Sequence, residues 1–171
     1  MRVFVTGASG WIGSATVAEL LGAGHEVVGL ARSEESAASL VAQGAEVLRG
    51  DLDDLDALRR GAADADAVAH LANKHDWANP AESNRAERVA VETLAEALVG
   101  SDRPFLLAAG VAGLAQGRPG TEADPSRAVG PDFPAAAQRT SPSPTSTAGS
   151  ARSEPGSPPP STAPGTTGSS P

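Results

Sequence analysis

The stretch from Val3 to Gly13 limits the possible folds more than any other: a short apolar run, a glycine turn, then helical periodicity. Val3, Phe4 and Val5 are too few for a helix and are strand formers, so they predict a buried strand. Thr6-Gly7-Ala8-Ser9-Gly10 interrupts that run, and apolar residues return at helical spacing from Trp11 to Leu21. In a strand–turn–helix the three glycines have separate tasks. Gly7 permits the tight turn, Gly10 lets main chain approach a pyrophosphate, and Gly13 lets helix and strand pack closely. Amide N–H groups at the helix start, with the positive end of the dipole, form an anion site. The dipole contributes only about 0.3–1 kcal/mol, so several N–H hydrogen bonds must supply the rest. The spacing is G-x-x-G-x-x-G, not the commoner G-x-G-x-x-G.

The pattern then repeats along the chain. Gly22 to Gly24 stops the first helix, and His25 to Leu30 predicts a second strand. Ser33-Glu34-Glu35 is a capped helix start, with a helix to Gln43 and a stop at Gly44. Ala45 to Leu48 is a third strand, and Asp53 or Asp54 caps the helix that runs through Leu58. Ala67 to Leu71 is apolar almost throughout, as a central parallel strand should be. Glu82 to Val99 is an amphipathic helix with Val89, Leu94 and Leu98 on one side, and Phe105 to Ala109 a fifth strand. Alternating β and α in this way predicts an α/β fold with a Rossmann-like, doubly wound parallel sheet ordered 3-2-1-4-5. The sheet is incomplete at about five strands, which leaves the fifth as an apolar edge and predicts marginal stability or aggregation.

Composition closes off several functions. With no cysteine, neither a disulfide framework nor a cysteine metal site can form. A net charge of −8 argues against nucleic acid as the partner. Nothing is apolar for long enough to span a membrane and no signal peptide opens the chain, so a cytoplasmic protein is expected.

Thr6 to Gly13, Gly50-Asp51-Leu52 after the third strand, and His70-Leu71-Ala72 ending the fourth together resemble the short-chain dehydrogenase/reductase superfamily. The likeness is to its extended and atypical branch, the NAD-dependent epimerase/dehydratase type, over about Met1 to Asp124. It implies a nicotinamide dinucleotide as ligand and an NAD(P)-dependent oxidoreductase or epimerase, on an unidentified small organic substrate, as parent activity. It also implies Ser9, Gly10, Trp11 and Ile12 around the pyrophosphate, Asp51 and Leu52 flanking the adenine, and Leu71 and Ala72 beneath the nicotinamide ribose. A turn or capping aspartate is the other reading of Asp51. Arg32 is the residue that discriminates between the coenzymes, the other reading being a solvated surface arginine that touches nothing. Sites that prefer NAD place a carboxylate at the tip of the second strand, whereas this one ends Leu30-Ala31-Arg32. A guanidinium there suits a 2′-phosphate, which favours NADP, with NAD the second choice.

Catalysis in the superfamily rests on a tyrosine and a lysine four residues later, and this chain has no tyrosine. Where a serine or threonine should follow the fifth strand it reads Ala108-Ala109-Gly110. No catalytic residue is assigned, and cofactor binding without turnover is expected; the alternative is a non-catalytic NADP-sensing regulator. Lys74-His75-Asp76-Trp77 is the most reactive-looking stretch left, read as a polar loop with a partly buried Trp77 and ended by Pro80. His70 reads as a packed strand residue, and Asp53, Asp54 and Asp56 as a negative helix start rather than a metal site.

The dinucleotide-binding domain is expected over residues 1–130. From Pro131 to Pro171 all but six residues are Pro, Ser, Thr, Gly or Ala, too little apolar surface to offset chain entropy, so a disordered tail is predicted. These five residue types have codons dominated by G and C. Reading back from Pro134 with a one-base shift permits a string with a helix start and a strand, like this branch after its fifth strand. That pattern predicts a frameshifted and truncated family member, the alternative being a genuine tail; sequencing the gene decides between them.

Overall fold

The computed structural model describes residues 1–110, 115, 117–121, 123 and 124. The order is β1 (Arg2–Thr6), α1 (Trp11–Gly22), β2 (Glu26–Ala31), α2 (Glu34–Gln43), β3 (Glu46–Arg49), α3 (Leu55–Ala63), β4 (Ala67–His70), α4 (Pro80–Ala97) and β5 (Phe105–Leu107). All strand pairs are parallel, in the order β3-β2-β1-β4-β5. The expected sheet is therefore present. The tail expected from residue 131, and the domain boundary at 130, lie outside the described residues.

Strand periodicity divides the core in two. Phe4 and Val68 point toward α3 and α4, where they meet Leu58, Ala62, Ala90 and Leu94. Their neighbours Val3, Val5, Ala67 and Ala69 point the other way, toward Val17 of α1 and Leu40 of α2. Each helix covers one face of a sheet that is buried on both sides.

Caps set the helix ends. Ser33 accepts from the Ser36 N–H at the start of α2, and Gly44 closes it in the left-handed conformation. Asp54, not Asp53, caps α3, its Oδ1 accepting from the Ala57 N–H at 2.9 Å. That helix runs through Leu58 as expected and ends at Ala63. One expectation fails in α4. Leu94 and Leu98 are buried, but Val89 is 38% exposed, because the inward stripe runs through Ala86, Ala90 and Leu94 and Val89 lies one position off it.

Candidate functional site

The carboxyl ends of β1, β2 and β4 and the loop after β3 open onto one groove of about 720 Å³. All eleven residues expected around a coenzyme line it: Gly7, Ser9, Gly10, Trp11, Ile12, Gly13, Arg32, Asp51, Leu52, Leu71 and Ala72. The groove lies where the strand order reverses, between β1 and β4, the usual ligand position in open parallel sheets.

The glycine turn is tightly built. Gly7 has φ +69°, and a Cβ there would stand 2.7 Å from the main chain of Leu71 and Ala72. A Cβ on Gly13 would stand 2.0 Å from the Gly7 carbonyl oxygen, so α1 rests directly on the turn. Gly10 is the N-cap of α1 and offers no side-chain cap, and no acidic residue stands in the first turn. The other three helices differ: α2 and α3 have side-chain caps, and α4 has Glu82 in its first turn. The opening amides of α1 are thus left without a local anion. Trp11 is 94% exposed.

Arg32 follows β2 and is exposed; among the described residues it has neither an ion pair nor a hydrogen bond. Ser36 of α2 lines the same end of the groove. Composition and motif did not single out Ser36. Its signal was positional, because a helix capped at Ser33 places residue 36 in the first turn beside the strand tip.

Asp51 builds its own turn: Oδ1 accepts from the N–H groups of Asp53 at 2.9 Å and Asp54 at 3.2 Å. That is the turn reading of Asp51, and the residue lines the groove as well. Asp53 instead reaches Lys74, Nζ to Oδ2 2.7 Å, and ties the loop after β3 to the loop after β4. Asp56 pairs with Arg59.

Asn73, Lys74, His75 and Asp76 also line the groove. His75 has φ +52°, held by a hydrogen bond from its N–H to Asn73 Oδ1 at 2.8 Å. Asp76 is not poised beside His75 as an acid–base partner. Its carboxylate accepts from the Asn79 side chain and from the N–H groups of Ala78 and Asn79, which hold its pKa below the usual range. The expected partial burial of Trp77 is also wrong: it is 83% exposed, with a tilted contact to the His75 ring at 5.9 Å.

His70 is buried as expected, and its Nδ1 lies 2.8 Å from Thr6 Oγ1 across the β1–β4 pair. Its Nε2 is buried without a hydrogen-bond partner among the described residues.

The description of the NAD dependent epimerase/dehydratase family matches residues 3–140, well over half of the chain. The chain belongs to that family. Among family relatives, an uncharacterized protein of Saccharomyces cerevisiae is 46% identical over 126 residues, which is 72% of this chain and 42% of that protein. A 4-hydroxy-2-methyl-3-oxo-4-farnesyl-3,4-dihydroquinoline-1-oxide ketoreductase of Stigmatella aurantiaca is 37% identical over 128 residues, 74% of this chain and 38% of that enzyme. The chain therefore spans about two-fifths of the length of these relatives. The fold is shared with a UDP-glucose-4-epimerase of Stenotrophomonas maltophila, solved with bound NAD and formylated UDP-arabinopyranose. The TM-score is 0.63 at 22% identity, over 77% of this chain and 44% of that one. It is likewise shared with the UDP-glucose 4-epimerase of Bifidobacterium longum in complex with NAD+ and UDP: TM-score 0.59, 23% identity, 73% and 42% coverage. Among the described residues no helix is long and apolar enough to cross a membrane.

Proposed function

We propose that this chain is the dinucleotide-binding part of an NADP-dependent oxidoreductase or epimerase acting on a small organic substrate. The observation that carries the reading is the convergence on one groove of an uncapped helix start, a free arginine and the Asp51 turn. The residues present fit such a coenzyme. The first-turn amides of α1 and the Gly7–Gly10 main chain would hold the pyrophosphate, at a turn that only glycine lets pack this closely on the neighbouring main chain. Asp51 and Leu52 would flank the adenine, the free carboxylate oxygen accepting from its amino group. Leu71 and Ala72 would support the nicotinamide ribose, and Arg32 would pair with a 2′-phosphate. Bound there, the coenzyme supplies hydride transfer.

Likeness to the Stigmatella ketoreductase supports a carbonyl or alcohol carbon as the reacting centre. No group of this chain is assigned to proton transfer, since it contains no tyrosine. The regulatory alternative has no observation in its favour and is not proposed.

Titration with NADPH and NADH, followed by nicotinamide fluorescence, tests the reading. We expect NADPH to bind about tenfold more tightly than NADH, and Arg32→Ala to erase that preference while leaving NADH affinity unchanged. A folded preparation that ignores both coenzymes at about millimolar concentration would overturn it.

A further inference from the structure

We propose that Arg49 sets coenzyme preference indirectly, by holding the Glu34 carboxylate away from the place where Arg32 meets a 2′-phosphate. The inference rests on the NADP reading and concerns a residue that makes no contact with the groove.

An acid close to the tip of β2 is the feature that binds a ribose 2′-hydroxyl and repels a phosphate. This chain carries two acids there, Glu34 and Glu35, in the first turn of α2 and only two and three residues beyond Arg32. A carboxylate this near offsets part of the guanidinium's attraction for a phosphate. The structure shows where Glu34 goes. Ala31 of β2 stands in register with Arg49 of β3, which brings that guanidinium beside the start of α2. Arg49 forms an ion pair with Glu34, and its second nitrogen donates to the Ser33 carbonyl at 2.9 Å. One side chain thus fixes both the carboxylate and the main chain from which it projects. Neither Glu34 nor Arg49 lines the groove, whereas Arg32 and Ser36 do.

An exposed pair of this kind adds little to stability. Its effect is electrostatic and local: pairing with Arg49 removes Glu34, one of the two nearby acids, as an offset to Arg32's attraction for an incoming anion, and leaves Glu35. Arg49 is therefore a positioning residue that acts through Glu34.

Three variants of the full chain, titrated with both coenzymes, test this. Arg49→Met should weaken NADPH binding about fivefold and leave NADH unchanged or slightly tighter, the size expected for one unscreened like charge near the phosphate. Adding Glu34→Gln to Arg49→Met should restore NADPH affinity to within about twofold of the parent, which a purely structural role for Arg49 would not allow. Equal weakening of both coenzymes without rescue, or no effect of Arg49→Met, would overturn the proposal. Arg32→Ala separates the two levels. If it abolishes an NADPH preference that Arg49→Met leaves intact, only this inference falls. If the parent chain has no NADPH preference, the NADP reading falls and this inference with it.

Discussion

Thr6 and His70 show how a single buried pair can carry a pH dependence. Both are buried, and desolvation pushes the imidazole pKa down from 6.5 to about 4. The unfolded chain takes up this proton near pH 6.5, while the folded chain refuses it until about pH 4. Between those values the unfolded state binds more protons, so acid favours unfolding. The stabilisation is whole above pH 6.5 and is lost as pH falls toward 4, about 3 kcal/mol in all. The melting temperature of the chain should therefore drop more steeply between pH 7 and pH 4.5 than that of His70→Gln; parallel curves would contradict a neutral buried histidine. Burial of His70 was legible from the apolar run around it. Its bond to Thr6 was not, because it depends on the register that sets Thr6 opposite His70. Arg32 is similar: its place at the strand tip could be read directly, but its freedom from Glu34 depends on a strand paired from another part of the chain.

Among the elements, the ends of α3 and α4 are joined by one side chain that no motif announced. Arg103, just before β5, donates to the carbonyls of Ala62 and Ala65 at 2.8 and 2.9 Å, and to that of Ala97 at 2.9 Å. Carbonyls at helix ends lack intrahelical partners and carry the negative end of the dipole, so a cation placed there satisfies both needs. Replacing Arg103 by Met would leave partly buried carbonyls unpaired. The expected loss is about 2–4 kcal/mol in urea unfolding, with Arg103→Lys recovering less than half because it lacks the guanidinium fork. A loss under about 1 kcal/mol would show that solvent replaces these bonds. Helix starts were largely readable, since Ser33 and Asp54 cap through local chemistry. The loop from Asn73 to Asn79 was not. Its course is set by turns at Asn73 and Asp76, by the positive φ of His75 and by the Lys74–Asp53 pair, and a loop of that kind has no periodicity to read.

For the molecule as a whole, the two faces of the sheet are unequally covered at one edge. Strand β5 pairs with β4 and, among the described residues, with nothing beyond it. Its inner neighbours are buried, yet Leu106 is 59% exposed, while Phe105 packs against the core on the side of α3 and α4. Apolar surface also stands open at Trp11, Ile12 and Trp77. A parallel sheet with an uncovered apolar edge presents free main-chain donors and acceptors to any similar edge. Among the described residues nothing covers β5, so self-association through that edge is expected to compete with the native monomer. At about 50 µM, sedimentation velocity should show species larger than the monomer. Leu106→Lys should shift the population to monomer without lowering the melting temperature, because the side chain it replaces is mostly in solvent. If the parent chain sedimented as a single monomeric species, the edge would have to be covered by residues outside those described, and Leu106→Lys would then be strongly destabilising.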